Sequence, residues 1–562
     1  MAEGAPGAGE GGGAGGSAEA PPSRLPVFRW LSGYAPSSFP RDAVAGLVLA
    51  TYLVPISIAY SSLAGLPPQA GLYSSMLAGI AFAAFTSGRH TSIAITSAIS
   101  LLVGSVLGQM ADGDVDRQMA LASLTALYVG VVGLCATALK AGGVVAFISE
   151  TILAGFKIGV AIHITVSQLP KLLGVKVAGS HVLDKAFSLL TKVDETHLPS
   201  LLLGGGALLL IFLGDRLLRN KPWALLAMAI SIAAVSFTGL GERGIKVLGD
   251  IPAGLPRFGP PGLGFKEVDG LLGLALACFL LASVETMAVA RTFATKHGYR
   301  VDTNREFLAI GAANLLVGVG QGYPVSGGMS QSAVNESAGA RTPMSLVVAC
   351  VLLGLVTLYL GGLFRNLPDP VLAAVVLMAI RGLFDFRLLR SLRKFSRFEF
   401  TVALIALGGV VVFGVLKGVL LAVVASLLLL LRRAANPPIV VLGRKPGTPE
   451  FPALDRDPTA LRLPGVLLVR VYGGLVYFNT DDVRERLAAI WRAEGEPRLV
   501  VLDLDAVPLV DMAGARLIGD FRAELAAKGQ VTGQLKTLKV KAGDSVKKGQ
   551  LLAEIDPIIF QA

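Results

Sequence analysis

Charged side chains are scarce in this chain. Asp, Glu, Lys and Arg make up 16% of its 562 residues, against about 25% in a soluble domain. With 53% hydrophobic residues, that shortage marks an integral membrane protein. Cysteine is scarcer still. Cys135, Cys278 and Cys350 all fall in apolar runs without disulfide or metal-ligand spacing, so nothing points to a metal, a cofactor or an oxidising compartment. Acidic residues are too few to balance the basic ones, and the net charge is +11. The basic residues form no single patch. They sit at alternate ends of apolar segments, which is a topology signal and not a nucleic-acid one. Residues 1–23 lack the basic start and apolar core of a secretory signal and have the composition of a disordered tail.

What is present is a long series of apolar segments. They lie at about 43–62, 72–87, 92–109, 119–139, 142–168, 199–218, 222–240, 270–290, 306–320, 326–338, 344–363, 368–381, 398–415 and 417–432. The fourteen divide as seven plus seven, and several are shorter than the roughly 20 residues of a full span. Connections after even-numbered segments carry the basic residues, from Arg89 through Arg216 and Lys221 to the Arg387–Arg397 cluster. Both termini are therefore expected in the cytoplasm of a multi-pass cell-membrane protein. The connection with Lys171, Lys176, Lys185 and Lys192 fits this rule poorly.

Two segments are interrupted. Gly320–Thr342 is polar and Gly-rich between apolar runs, with Pro324, Ser326, Gly327, Gly328 and Ser330 in succession. Thr91–Ser100 is small and hydroxyl-rich and opens another apolar run. Backbone breaks survive at membrane depth only where they line a cavity. The helix N-termini they leave attract anions, and paired breaks in the two halves of a chain mark a transporter's binding site. These are the third and tenth segments, and their N-termini are expected to face each other near mid-membrane. Ser97 and Ser330 are the first candidates to hold a small anion, with Thr96 and Ser326 second; each could instead be a plain helix cap.

Glu285 lies inside an apolar segment, where a carboxylate costs about 2.5–3.5 kcal/mol on insertion scales, so it is a functional candidate by default. The alternative is a carboxylate near the cytoplasmic end paired with Arg291. Lys157 and Glu150 share a helical face; Lys157 is read as snorkelling to an interface and His163 as a hydrogen-bonded packing residue. After Pro437-Pro438 strands alternate with helices, at Gly465–Tyr472 and Leu499–Leu504 and at Asp482–Ala493 and Ala513–Ala527, indicating a small cytoplasmic α/β domain.

Several motifs together resemble the SulP (solute carrier 26) anion transporters. They are Asp42-x-x-Ala-Gly46, Pro55, Ala59-Tyr60, Leu63–Pro68, Gly71-Leu-Tyr73, Gly155-Phe156, Gln168-Leu169, Asn304-x-Glu306, Gly311-x-x-Asn314, Pro324-Val-x-Gly327, Ser330-x-Ser332 and Gly339-x-Arg-Thr342. Leu475-x-Tyr-Phe-Asn479 and Asp503–Gly514 resemble the STAS domain of that family. The resemblance covers roughly residues 40–529. It implies fourteen transmembrane segments as a 7+7 inverted repeat of core and gate domains, an elevator-like motion, and a homodimer. It also implies an anion between the third and tenth helices near Tyr60, Gln331 and the serines above, and an acidic residue at Glu285 tied to the site or to coupling with a proton or sodium ion. Sulfate is the default substrate, with bicarbonate or a C4-dicarboxylate next; a non-transporting sensor or scaffold acting through STAS is the reading from another class.

The chain departs from the family pattern at Ile56, at Ala94-Ile95 and at Gln331, where Gln, Gly-Pro and Arg often stand. Met512-Ala513 replaces the phosphorylatable serine of related bacterial STAS loops, so phosphoregulation there is not expected. The domains are read as a tail and lead-in at 1–40, a membrane domain at 41–433, a linker and truncated STAS at 434–529, and a biotinyl/lipoyl-like half motif at 530–562. The last lacks a Met-Lys-Met attachment site, so no cofactor is assigned.

Overall fold

A computed structural model of the chain describes residues 30–31, 34–141, 150–179, 181–218, 221–241, 244–249, 252, 254–262, 268–497, 499–528, 531–538 and 553–556. The expected tail at 1–23, the start of the fifth apolar segment and the side chain of Glu150 lie outside the described residues. The chain divides into two compact units, Met1–Ala425 and Ser426–Ala562.

Every apolar segment of the sequence coincides with a helix. These are α1 (Phe39–Leu63), α2 (Pro68–Phe85), α3 (Ser97–Met110), α4 (Val115–Ala138), α5 (Glu150–Leu173), α7 (Leu198–Leu217) and α8 (Trp223–Thr238) in the first half. In the second half they are α9 (Val268–His297), α10 (Thr303–Val319), α11 (Met329–Ser337), α12 (Met344–Leu355), α13 (Asp369–Ala379), α15 (Arg397–Phe413) and α16 (Val415–Ala435). Two more helices, α6 (Val182–Thr191) and α14 (Phe386–Phe395), replace stretches expected to be connections. In α14 the exposed Arg387, Arg390, Arg393 and Lys394 recur at helical spacing, a period masked by the apparent charge cluster. Among the described residues five stretches, Pro36–Leu63, Val115–Ala138, Leu198–Leu217, Gly270–His297 and Met344–Phe364, are long and apolar enough to cross a membrane by length and composition. The chain is a multi-pass helical membrane protein.

The helices sort into two packed groups. α1–α4 pack mainly with α9–α12, and α5–α8 with α13–α15, while α8 and α13 touch α1 between them. α4 and α10 meet backbone to backbone: a Cβ added to Gly133 would stand 2.8 Å from the Gly311 Cα. Leu49, Leu53, Phe82, Ile99, Leu102 and Phe307 are fully buried in this core. Two buried carboxylates fix its polar ends. Asp42 accepts from Arg341 N (2.8 Å) and Thr342 Oγ1 (2.7 Å), and Glu306 accepts from Ser87 N (2.7 Å), Ser87 Oγ (2.7 Å) and Thr86 Oγ1 (2.9 Å). Buried carboxylates need such full hydrogen bonding to be tolerated at all.

The second unit holds a five-stranded sheet in the order β3 (Ile439–Val441), β4 (Val466–Val471), β5 (Leu499–Asp503), β6 (Val531–Leu538) and β7 (Ala553–Asp556). The inner pairs β4/β5 and β5/β6 are parallel, and the outer two antiparallel. Helices α17 (Thr480–Ala493) and α18 (Met512–Ala527) supply Val483, Leu487, Trp491, Leu517 and Phe521 to its core. The segment after 529 was expected to stand apart from the truncated STAS pattern. Instead its first residues supply β6, with Val531 opposite Leu499. Asp511 begins α18, and backbone N–H bonds from Gly514 and Tyr477 hold its carboxyl below the usual carboxylate range.

Candidate functional site

The two interruptions meet. β1 (Ile93–Ala94) pairs antiparallel with β2 (Ser326–Gly327), Ile93 opposite Gly327 and Ala94 opposite Ser326. Helix α3 begins three residues after Ala94, and α11 two residues after Gly327. Short extended pieces followed at once by helices thus bring two N-termini to one place inside the first unit.

Neither helix start carries a side-chain cap. Thr96 is the N-cap of α3 and Gly328 that of α11, and no side chain accepts a cap hydrogen bond at either. Thr96 makes no cap bond, and its hydroxyl donates instead to Glu285 Oε2 (3.3 Å). Ser326 Oγ donates to the same oxygen at 2.6 Å. The first N–H groups of both helices therefore have no intrahelical or side-chain partner there, the condition for holding an anion.

The expected site residues separate into two sets. Glu285, on α9, gathers Thr96 and Ser326, so these two hydroxyls serve the carboxylate. Among the described residues no ion pair joins Glu285 to Arg291; the charge that acts on it is Lys157 of α5. Lys157 thus bears on the site, which the interface reading did not foresee. Ser97 and Ser330 are the serines at the helix starts. Ser97 is 7% exposed and Tyr60 reaches toward it; Ser330 is exposed, and Tyr52 reaches toward it. Ser330, Tyr52 and Ile56 line a cavity of about 280 Å³ whose other end carries Asp215, Lys221 and Arg381.

Gln331 does not point at that cavity. It is buried, and its Nε2 donates to Ser92 O (3.0 Å) and Ser326 O (3.4 Å), tying the two extended pieces together. Ser332 Oγ accepts from Ser92 N (2.8 Å), Asn314 Oδ1 from Val325 N (3.0 Å), and Thr286 Oγ1 from Gly327 N (2.9 Å). Close approach is required here: a Cβ on Gly327 would lie 2.9 Å from Thr286 Oγ1 and 3.0 Å from its Cα. Sequence reasoning gives Tyr52 no role, although a tyrosine eight residues before Tyr60 in an apolar helix is the available signal. Asn314 and Ser332 stood in the motifs without a role.

A helical membrane protein whose two broken segments pair to expose helix N-termini beside a cavity has the build of a transporter. The sulfate permease family model matches residues 39–406 and the STAS domain model 457–532. The chain belongs to the sulfate permease family, one of transporters and not enzymes, and carries a STAS domain. It is 33% identical over 528 residues to a "Probable sulfate transporter" of Mycobacterium tuberculosis strain H37Rv, covering 94% of this chain and 93% of that one. It is 32% identical to the chloroplastic sulfate transporter 4.1 of Arabidopsis thaliana, covering 82% and 69%. Its fold is similar to that of the murine solute carrier 26 family member A9 anion transporter in the inward-facing state, with a TM-score of 0.81, 20% identity, and 91% and 88% coverage. A model for the barrel-sandwich hybrid domain of RND membrane-fusion proteins matches residues 524–562, overlapping the STAS match.

Proposed function

We propose that this protein is a secondary active transporter of a small oxyanion, with sulfate as substrate. The observation that carries the reading is the pair of uncapped helix starts joined by the β1/β2 ladder. The anion rests on their N–H groups and on the hydroxyls of Ser97 and Ser330, with Tyr60 and Tyr52 alongside. The family and the names of the relatives support an anion and favour sulfate over bicarbonate or a C4-dicarboxylate. The sensor or scaffold reading is weaker, because the helix starts are intact and a cavity reaches Ser330. We take the mechanism to be of the elevator type, with α1–α4 and α9–α12 as the moving core, in a homodimer with both termini cytoplasmic. No cofactor is needed.

Glu285 is the coupling group in this reading. Ionised, it opposes the anion; neutralised by a proton, it does not, and a sodium ion between Glu285 and the Thr96 and Ser326 hydroxyls would have the same effect. Counterflow in proteoliposomes with labelled sulfate, bicarbonate, succinate and chloride tests the substrate, and no uptake of any would favour the scaffold. Sulfate uptake is expected to rise with external acidity between about pH 8 and about pH 5.5, a range spanning the usual carboxyl-to-neutral interval. Glu285→Gln is expected to flatten that profile. Equal profiles for wild type and variant would leave Glu285 as a fixed partner of Lys157.

A further inference from the structure

The lysines that fitted the charge rule poorly have a place in the fold. Lys171 and Lys185 line a cavity of about 680 Å³, bounded by the far ends of α1 and α3, by α5 and α6, and by the start of α16. Lys417, His163 and His181 line it too, and among the described lining residues none is acidic. Lys171 is oriented by Ser62, donating to its Oγ (3.0 Å) and O (3.4 Å), with Asp369 and Lys246 acting on it from outside the lining. His163 was expected to be a hydrogen-bonded packing residue. Its Nδ1 is instead a buried nitrogen with no hydrogen-bond partner. Unpaired buried polar atoms are costly, and here the atom belongs to a side chain on the wall of a basic cavity.

The position of this cavity is informative. Leu101 and Gly104 of α3 form part of its wall, and Leu101 is only one turn, roughly 6 Å, beyond Ser97. The smaller cavity reaches Ser330 from the end that carries Arg381 and Lys221. The two cavities thus approach the paired breaks from opposite ends of the first unit. A cleft lined by one sign of charge within low-dielectric walls focuses its field and raises the local concentration of counter-ions.

We propose that the larger cavity is an anion vestibule, in which Lys171, Lys185 and Lys417 collect a small oxyanion on the side opposite the Arg381 cluster. From there the anion moves along α3 to Ser97, a step that rests on the transport function proposed above. The field of the vestibule does not rest on it.

The test reads the field directly. In the full-length chain, Cys135→Ser removes the exposed thiol, Cys278 and Cys350 being buried, and Gln109→Cys places a reporter on the cavity wall. Relative to their rates with a small free thiol, an anionic sulfonatoethyl methanethiosulfonate is expected to label the reporter about tenfold faster than a cationic trimethylammonioethyl one, within the range of electrostatic steering. Adding Lys185→Gln and Lys417→Gln should collapse that preference, and sulfate should slow labelling while the lysines are present. Faster labelling by the cationic reagent, a preference unchanged by the lysine substitutions, or no protection by sulfate would each overturn the vestibule. In liposomes the same double substitution should raise the KM for sulfate offered from the vestibule side several-fold and leave the opposite side unchanged; an equal change on both sides would count against it. A wild type that moves no sulfate yet shows the labelling preference and protection would sink the transport reading alone.

Discussion

The two interrupted segments perform one task with different materials. On the α3 side the chain is largely buried: Ile93, Ala94 and Ile95 are fully enclosed, and Ser97 is 7% exposed with Tyr60 reaching toward it. On the α11 side the helix is only nine residues long and polar, and Ser330 opens onto a cavity. The ladder between them is short, so its geometry depends on side chains of α11, α10 and α9: Gln331, Ser332, Asn314 and Thr286. One half of the site is thus set in the apolar core, and the other is held against it by polar ties. Accessibility differs accordingly, Ser330 being reachable from the Arg381 end while Ser97 is covered.

Breaking the joint between the halves should have the largest effect. Gly327→Val places side-chain atoms against Thr286, and overpacking of this kind costs about 1–3 kcal/mol. Because the strain falls on the ladder, sulfate uptake is expected to drop to roughly a tenth or less, one decade per 1.4 kcal/mol, with the protein still folded by size-exclusion and thermal melting. Near-normal uptake would mean that the β1/β2 pairing does not set the site.

Changing the charge behind the joint should have an intermediate effect. Gln331 uses donors to hold Ser92 and Ser326, and Arg brings donors to the same carbonyls together with a permanent charge. Gln331→Arg is therefore expected to lower the KM for sulfate several-fold, less for chloride, and to slow turnover by retarding release. Gln331→Leu removes the tie and should reduce uptake of both. Equal effects of Arg on the two anions would show that charge at this position is not felt by the substrate.

Much of this arrangement was legible in the chain, because apolar length and its interruptions are local properties. Among the described residues the fourteen apolar segments coincide with helices, and Thr96 and Ser326 meet at Glu285. Pairing is not local. Ala94 and Ser326 are far apart in sequence, and two-residue strands leave no period to read, so the ladder and the tie made by Gln331 were invisible. The same limit hid the partition of hydroxyls, since only the fold shows that Thr96 and Ser326 donate to Glu285. Charge concealed α14 by making a helix look like a connection, and apolar context concealed Tyr52. The STAS pattern reads as ending at 529, yet the family match runs to 532 and the sheet goes on to β6, because strand pairing asks for backbone and not for a motif.

The smallest expected difference, about two- to fivefold, separates the two serines. Ser330 faces the cavity, so an anion arriving from the Arg381 end meets its hydroxyl first. A hydrogen bond to a charged group contributes about 1.5–3 kcal/mol, and partial hydration in the open cavity discounts that figure. Ser330→Ala should then raise the KM for sulfate from that end by about tenfold, equivalent to 1.4 kcal/mol. A tyrosine reaches toward each serine, Tyr60 toward Ser97 and Tyr52 toward Ser330, but Ser97 is only 7% exposed, so the anion meets its hydroxyl later and exchanges a buried interaction for a new one. Such an exchange nets about 0.5–1 kcal/mol, and Ser97→Ala should raise the same KM only about two- to fivefold. Tyr60→Phe releases Ser97 and is expected to widen the effect of Ser97→Ala toward that of Ser330→Ala. Uptake measured in vesicles of both orientations decides the matter. If Ser97→Ala already exceeds Ser330→Ala with Tyr60 intact, the buried serine holds the anion from the outset and the cover provided by Tyr60 is not a barrier to binding.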